Sequence, residues 1–592
     1  MPDIKVPEEH VAVHGCNESA SAWITPVRMP LDLEGPVALP FDQPQADFVE
    51  RPIDTLFDIV AAQQASATAL ADGVAKLTYA EVRRAALRLA EEIAARVPTG
   101  EAVAVLLANV PASVIGVLAC LAAGRCCLVL NAEHPAERNA AILRDADVHA
   151  VIIKEDCCPE LALVPNDIAR IVIPGGGGAA GDRAASSWRP TPMGPDEPAV
   201  VLYTSGSTGQ PKGVVLSQAS ILARVRNNIV SMHLNGDDRF LSLGALGTTA
   251  GLVASMVALL GGAVQFVVSA SASGLSALLA LIRSERVTIL WGVPALLRLL
   301  FEADGARADL ASLRLIRTFG DRLPQADLHG WRTVLPIDLH VAITYGQTEA
   351  TVAQWFVPPG FTCDEAALPT GYLLPEHEFV ILDEDGAAVE AGEAGELVLR
   401  SRYVALGTWE HGQCVVGRAR PDPNARHLRI LPTGDVVRLR PDGLLQVIGR
   451  RDRQVKIRGL RVEPAEIEDA LRRVSGVADA AIVARRDGED TSLLGFIVAG
   501  DPTDMTLPDR VRAVVTAGLP NHMHPARVLL VDRLPLLPGG KLDIHALLTI
   551  DAATPGGPRI VSFRSMAAVG TRHAFARALL HTLARLRGLA GR

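Results

Sequence analysis

The residues 202–214, Leu-Tyr-Thr-Ser-Gly-Ser-Thr-Gly-Gln-Pro-Lys-Gly-Val, concentrate more chemistry than any other stretch of the chain. Between Thr204 and Gly213 lie four hydroxyls (Thr204, Ser205, Ser207, Thr208), three glycines (Gly206, Gly209, Gly213) and Lys212. Glycines let backbone N–H groups converge on an anion, hydroxyls add donors, and a lysine adds charge. That combination suits a polyphosphate. The loop is not a Walker A motif, because Lys212 lies between Pro211 and Gly213 rather than in Gly-Lys-Ser/Thr. Nor is it a dinucleotide fingerprint, since no G-x-G-x-x-G opens a helix here. Further reactive types follow in order: Gly320-Asp321-Arg322, Tyr345-Gly346-Gln347-Thr348-Glu349, Thr433-Gly434-Asp435, a basic run 449–459, and Lys541 within Pro538-Gly539-Gly540-Lys541. Taken one at a time, each also fits an ordinary turn, a solvated basic strand or a solvated lysine. Their shared order is the informative signal.

These groups need a scaffold. From residue 51, strand-like and helix-like segments alternate: a helix over 53–64, a strand at 76–79 entering a helix with a Thr78/Glu81 capping box, a buried strand 102–107, a helix 111–123, strands 126–130 and 150–153 around a helix 136–145. That alternation predicts a parallel sheet with helices on both faces. The loop at 202–214 follows the apolar run 199–202; the Gly320 and Tyr345 turns follow strands 315–319 and 339–344. In a parallel sheet such turns gather at the carboxyl edge, where α/β folds bind ligands. Beyond Gln354 the texture becomes β, with segments near 378–382, 395–401, 436–439 and 446–448. A short α+β region with helices 464–474 and 507–517 closes the pattern. The expected fold is therefore a large α/β domain carrying a β-rich subdomain, followed by a small α+β domain.

The 592 residues suffice for two or more domains. A net charge of −9 and 4% aromatic residues give no reason to expect nucleic acid as a partner. The eight cysteines include the neighbours Cys126-Cys127 and Cys157-Cys158 but no CxxC, so reduced thiols in a cytoplasmic protein are expected. No apolar signal-peptide core is visible near Met1. The stretch 240–282 holds no charged residue, but six glycines interrupt it. It reads as a buried helix (250–260), a turn and a buried strand (263–268), with no transmembrane segment expected.

Taken together, these motifs resemble the adenylate-forming superfamily of AMP-binding enzymes, which includes acyl-CoA synthetases, luciferases and the adenylation domains of peptide synthetases. The resemblance spans about residues 51–548 and is closest in texture to stand-alone peptide-synthetase-like adenylation domains. It implies ATP and Mg2+ as cofactors. Thr204, Ser205, Gly206, Ser207, Thr208, Gly209 and Lys212 would hold phosphates, with Thr204 also counted among the catalytic groups. Tyr345, with Gly346 and Thr348 beside it, would pack on adenine near Gly320. Glu349 would hold the metal, Asp435 the ribose diol, and Arg450 ribose or phosphate. Asp452 would be the hinge, Lys456 would act in the second half-reaction, and Lys541 would be the catalytic lysine of the first.

The implied activity is that of a ligase. A carboxylic acid becomes an acyl-adenylate with release of pyrophosphate, and a thiol then takes the acyl group. That thiol would belong to a separate phosphopantetheine carrier protein, or alternatively be free CoA. A reading of another class is a non-catalytic nucleotide-binding relative. The expected divisions are an N-terminal arm (1–50), a large domain (51–449), a small mobile domain (450–550) and a basic tail (551–592). The sequence departs from the family's pattern at two places. Gly320-Asp321-Arg322 replaces its Gly-Glu-Pro-like turn, and Thr248-Thr249 stand where amino-acid-activating members place an aspartate. The latter makes an ordinary α-amino acid a poor substrate, because a buried ammonium would lack its carboxylate. The uncharged wall 240–282 points instead to an uncharged acyl or aryl body.

Overall fold

In a computed structural model, the described residues are 23–26, 35–154, 164–165, 167–173, 188–206, 210–303, 305–363, 365, 367–390, 392–487, 490–501, 503–536, 542–553 and 560–562. Ser207, Thr208, Gly209, Lys541 and the tail beyond 562 lie outside them. The chain divides into two compact units, one of residues 1–205 and 211–461, the other of 206–210 and 462–592. The break falls between Arg461 and Val462.

The first unit holds two large sheets, in keeping with the expected α/β domain of parallel sheets flanked by helices. An eight-stranded sheet runs in the order Gln413–Val415, Gly407–Glu410, Lys212–Ser217, Pro198–Thr204, Cys126–Asn131, Ala102–Leu107, Ala150–Lys154 and Ala169–Ile173. A nine-stranded sheet has Ala350–Phe356, His340–Gln347, Leu315–Thr318, Ile289–Gly292 and Arg239–Ser242 as consecutive neighbours. Both have parallel interiors with antiparallel strands added at an edge. The polyphosphate-like loop and the Tyr345 segment therefore belong to different sheets. The near-continuous apolar strands explain why the interiors are parallel: Ala102–Leu107 is buried along its whole length, as a strand covered on both faces must be.

Helix Gln218–Met232 and helix Thr249–Leu260 are buried almost throughout and join the main apolar core. The capping box of Thr78 and Glu81 forms at the start of helix Tyr79–Arg96, satisfying N–H groups that the first turn leaves open. The uncharged stretch becomes a buried helix and the strand Val264–Phe266, and no helix among the described residues is long and apolar enough to cross a membrane. Described parts of the N-terminal arm dock on this unit. Ile24 bridges Phe379, and the Arg400 guanidinium lies 5.0 Å from the Trp23 ring. The β-rich region is a five-stranded sheet built on the long strand Arg429–Leu439. Thr433-Gly434-Asp435 lies inside that strand, not ahead of it.

In the second unit, strands Val477–Asp487, Asp490–Ala499, Arg527–Val531 and Ile560–Ser562 form one sheet. Helix Pro464–Arg472 opens the unit with proline at its first position, where a missing N–H goes unneeded. Phe496, Leu494, Leu529 and Leu547 belong to its own small core. The α+β expectation for this region holds.

Candidate active site

Strand His340–Gln347 organises the site. It runs three residues further than the sequence suggested, so Tyr345, Gly346 and Gln347 are strand residues and only Thr348-Glu349 make the turn into Ala350–Phe356. Alternation sends Tyr345 to one face of the sheet and Thr344 to the other. The buried Tyr345 hydroxyl donates to Asp435 Oδ2, and Arg450 Nη1 donates to Asp435 Oδ1 at 2.6 Å. Arg450 also forks onto Asp452 through Nε and Nη2, both at 2.7 Å, while Arg418 Nη2 reaches Asp452 at 3.4 Å.

The register explains the cluster: Asp435 is the direct cross-strand partner of Arg450. Burial raises the Tyr345 phenol well above its ordinary value, and the Asp435 carboxylate adds to the rise, so it stays a donor. Burial alone would raise the Asp452 carboxyl; the Arg450 guanidinium outweighs it and holds the group below its usual range. Lys456 Nζ sits 6.0 Å from the centre of the Tyr345 ring. Burial lowers its pKa, and Asp435 and Asp321 oppose the fall.

The second cluster surrounds Glu349, which is 6% exposed. Arg461 Nη1 donates to both its oxygens, at 2.8 and 3.1 Å. Desolvation would raise the Glu349 carboxyl, but Arg461 more than offsets this and keeps it anionic. Ser205 Oγ donates to the Arg461 carbonyl at 2.8 Å, so the start of the hydroxyl-rich loop and the end of this unit meet at one residue. Thr204 and Lys212 are cross-strand partners in the hairpin that carries the loop, and Thr204 Oγ1 approaches the Lys212 carbonyl at 3.4 Å. Burial lowers the Lys212 pKa, with Glu349 opposing. Arg224, buried in helix Gln218–Met232, donates from Nη2 to the Thr348 carbonyl at 3.0 Å.

Gly320 closes strand Leu315–Thr318 at φ +82°, and a Cβ there would meet the Gly459 carbonyl at 2.9 Å. Gly459, at φ +76°, would in turn strike Val293. The two glycines allow a backbone-on-backbone approach that no side chain would permit. Asp321 beside it has its pKa raised by burial, with Lys456 opposing.

Of the sequence-derived residues, Tyr345, Asp435, Arg450, Asp452 and Lys456 come together in one network, and Thr204, Ser205, Lys212, Thr348 and Glu349 in another. Sequence reasoning missed Arg461 and Arg224 as members. Arg461 was visible only as one cation in a dense basic run, and nothing in the sequence pairs it with Glu349. Thr248 acts as the N-cap of helix Thr249–Leu260, accepting from the Gly251 N–H at 3.2 Å, while the buried Thr249 hydroxyl has no partner among the described residues.

The chain is 33% identical over 496 residues to one of the plipastatin synthase proteins of Bacillus subtilis (strain 168), covering 82% of this chain and 19% of that protein. It is 32% identical over 500 residues to the phenyloxazoline synthase MbtB of Mycolicibacterium paratuberculosis, covering 82% of this chain and 41% of that one. It thus spans under half the length of these relatives. Among solved structures, the amide bond synthetase McbA from Marinactinospora thermotolerans superposes with a TM-score of 0.72 at 26% identity, covering 83% of this chain and 99% of that one. PA1221, a nonribosomal peptide synthetase protein with adenylation and PCP domains, shares the fold with a TM-score of 0.69 at 23% identity, over 85% of each chain. Residues 57–409 match the AMP-binding enzyme family, and residues 466–541 match the AMP-binding enzyme C-terminal domain. The chain belongs to the AMP-binding enzyme family.

Proposed function

We propose that the chain activates a carboxylic acid with ATP and then hands the acyl group to a thiol. The observation that carries this reading is the Tyr345–Asp435–Arg450 network, whose tyrosine shares a strand-and-turn segment with Glu349. In the first step a carboxylate oxygen bonds to the α-phosphorus and the bond to pyrophosphate breaks. In the second the thiol sulfur bonds to the acyl carbon, AMP leaves, and the thiol proton goes to solvent. Lys212 and the loop hydroxyls would neutralise the phosphates. Asp435 keeps lone pairs for a ribose diol, since each of its oxygens accepts one hydrogen bond from the protein. The Tyr345 ring would stack on the base. Lys541 would stabilise the charge that builds on the α-phosphate, Lys456 would serve the thiol step, and Asp452 would be the pivot between them.

Glu349 suits a magnesium ion in charge. Among the described residues no group of three or more His, Cys, Asp or Glu could hold a metal, so such an ion would rest on this one carboxylate and the substrate's phosphates. The ion would neutralise phosphate charge. Arg461 would have to share Glu349 with it.

The thiol we favour is a carrier protein's phosphopantetheine, because structures that pair adenylation with PCP domains share this fold. ATP–pyrophosphate exchange over fatty, aryl, hydroxy and amino acids, with Lys541→Ala as control, tests the first step. Exchange with one acid class, lost in the variant, supports it. ATP binding without exchange for any acid overturns it in favour of a nucleotide-binding relative. Acyl transfer to a phosphopantetheinylated carrier compared with free CoA then tests the thiol.

A further inference from the structure

The face of the nine-stranded sheet opposite Tyr345 carries a feature that the nucleotide site does not use. Trp291, Arg317, Ala342 and Phe356 are consecutive cross-strand partners, and Thr344 with Gln354 form the next pair along. Arg317 is the largest fully buried side chain, 1% exposed, and stands between the Trp291 and Phe356 rings at 5.6 and 5.8 Å. Its guanidinium donates to Asn228, to Ser231 Oγ at 2.9 Å and to Thr344 Oγ1 at 3.3 Å, all neutral. Among the described residues no carboxylate reaches it, and its Nε has no partner.

Unpaired groups extend beyond Arg317. Arg224 Nε and Nη1, Asn227 Oδ1, Trp291 Nε1 and both amide atoms of Gln354 are buried without partners among the described residues. Arg224, Asn227, Asn228 and Ser231 lie on one side of helix Gln218–Met232 by their spacing of three and four. Buried polar groups are nearly always paired, and a buried cation without an anion is strongly disfavoured. Water can bond to such groups but supplies no counter-charge. The unused Nε lies on the Nε/Nη2 edge of the guanidinium, the edge whose parallel N–H groups fit a carboxylate.

This polar strip connects with the proposed reaction centre. Arg224 holds the Thr348 carbonyl, next to Glu349, and Asn228 sits one helical turn, about 6 Å, further along. We propose that the acid activated here carries a second carboxylate, remote from the reacting one by a short spacer, and that Arg317 recognises it. This rests on the adenylation reading above and departs from the expectation of an uncharged body. The stretch 240–282 is uncharged, but a guanidinium from another strand faces it beside the Phe240–Trp291 pair.

The test is ATP–pyrophosphate exchange by the full chain with matched acids: glutarate, its monomethyl ester and pentanoate, and isophthalate with its monomethyl ester. Within at least one pair, the diacid is expected to exceed its ester by about tenfold or more in kcat/KM. Arg317→Gln is expected to remove most of that advantage through KM, and Arg317→Lys to keep part of it. Exchange that favours the esters or pentanoate overturns the inference and leaves adenylation standing. So does a diacid preference that survives Arg317→Gln. Silence with every acid, here and across the wider panel, overturns both. If Arg317→Gln does not fold, the wild-type pairs decide alone.

Discussion

The two faces of strand His340–Gln347 handle buried charge in opposite ways. On the Tyr345 face, Arg450 is closed on both sides by carboxylates, Asp435 and Asp452, and the tyrosine hydroxyl completes the set. On the Thr344 face, Arg317 is more deeply buried yet, among the described residues, meets only neutral oxygens and aromatic rings. Burial brings its pKa down to about 9, so it remains cationic at neutral pH. The paired network is complete without a ligand and can hold its shape in advance. The unpaired one is complete only when something else brings the anion.

The sharpest way to break this contrast is to replace each arginine by methionine. Arg450→Met strands Asp435 beside a phenol and removes a paired charge, an effect of about 3–5 kcal/mol when one partner of a buried pair is lost. Arg317→Met removes a cation that strands no carboxylate and leaves an apolar side chain among aromatic rings. Its expected loss is under about 2 kcal/mol. Urea unfolding of both variants measures the difference, and equal losses would mean that Arg317 has an ionic partner after all.

Next in size is Glu349→Gln, which takes from Arg461 a charge-assisted pair worth about 1.5–3 kcal/mol. The Glu349 pKa in the fold lies below its ordinary value of 4.5. The pair's contribution is therefore present above pH 4.5 and is lost as pH falls through the lower folded value. Unfolding curves from neutral pH down to the acid range should converge for the wild type and Glu349→Gln below that point. A constant gap between them would show that Arg461 is not what stabilises the anion.

The smallest effect belongs to Tyr345→Phe, which keeps the ring and deletes one hydrogen bond to Asp435. About 1 kcal/mol of stability is expected, with a larger effect on nucleotide affinity if Asp435 must be oriented to accept a ribose. Calorimetric titration with ATP beside a thermal melt separates the two. A melt that shifts while affinity holds would make the hydroxyl a structural group alone.

Sequence reading recovered the elements well, for a physical reason. Uniformly apolar strands, glycine turns and the Thr78/Glu81 cap are local signals, and local signals are written in consecutive residues. Which of the two large sheets each strand joins was not legible, because the same apolar run serves a strand in either. Nor was the position of Asp435 within a long strand: Thr433-Gly434-Asp435 reads as a turn until its pairing with Arg450 is known. Lys541 and the loop residues Ser207, Thr208 and Gly209 lie outside the described residues, so their roles rest on the proposal.

The order of the motifs, the α/β class and the kind of chemistry that a Gly/Ser/Thr loop with a lysine can support were all written along the chain. They follow from residue types and spacing. Which charges meet was settled only on folding. Glu349 and Arg461 are far apart in sequence yet share two hydrogen bonds, and Arg317, one cation in an apolar strand, is placed where no carboxylate among the described residues follows it. Pairing across strands depends on register and on which face each residue presents, and neither is fixed until the sheets assemble.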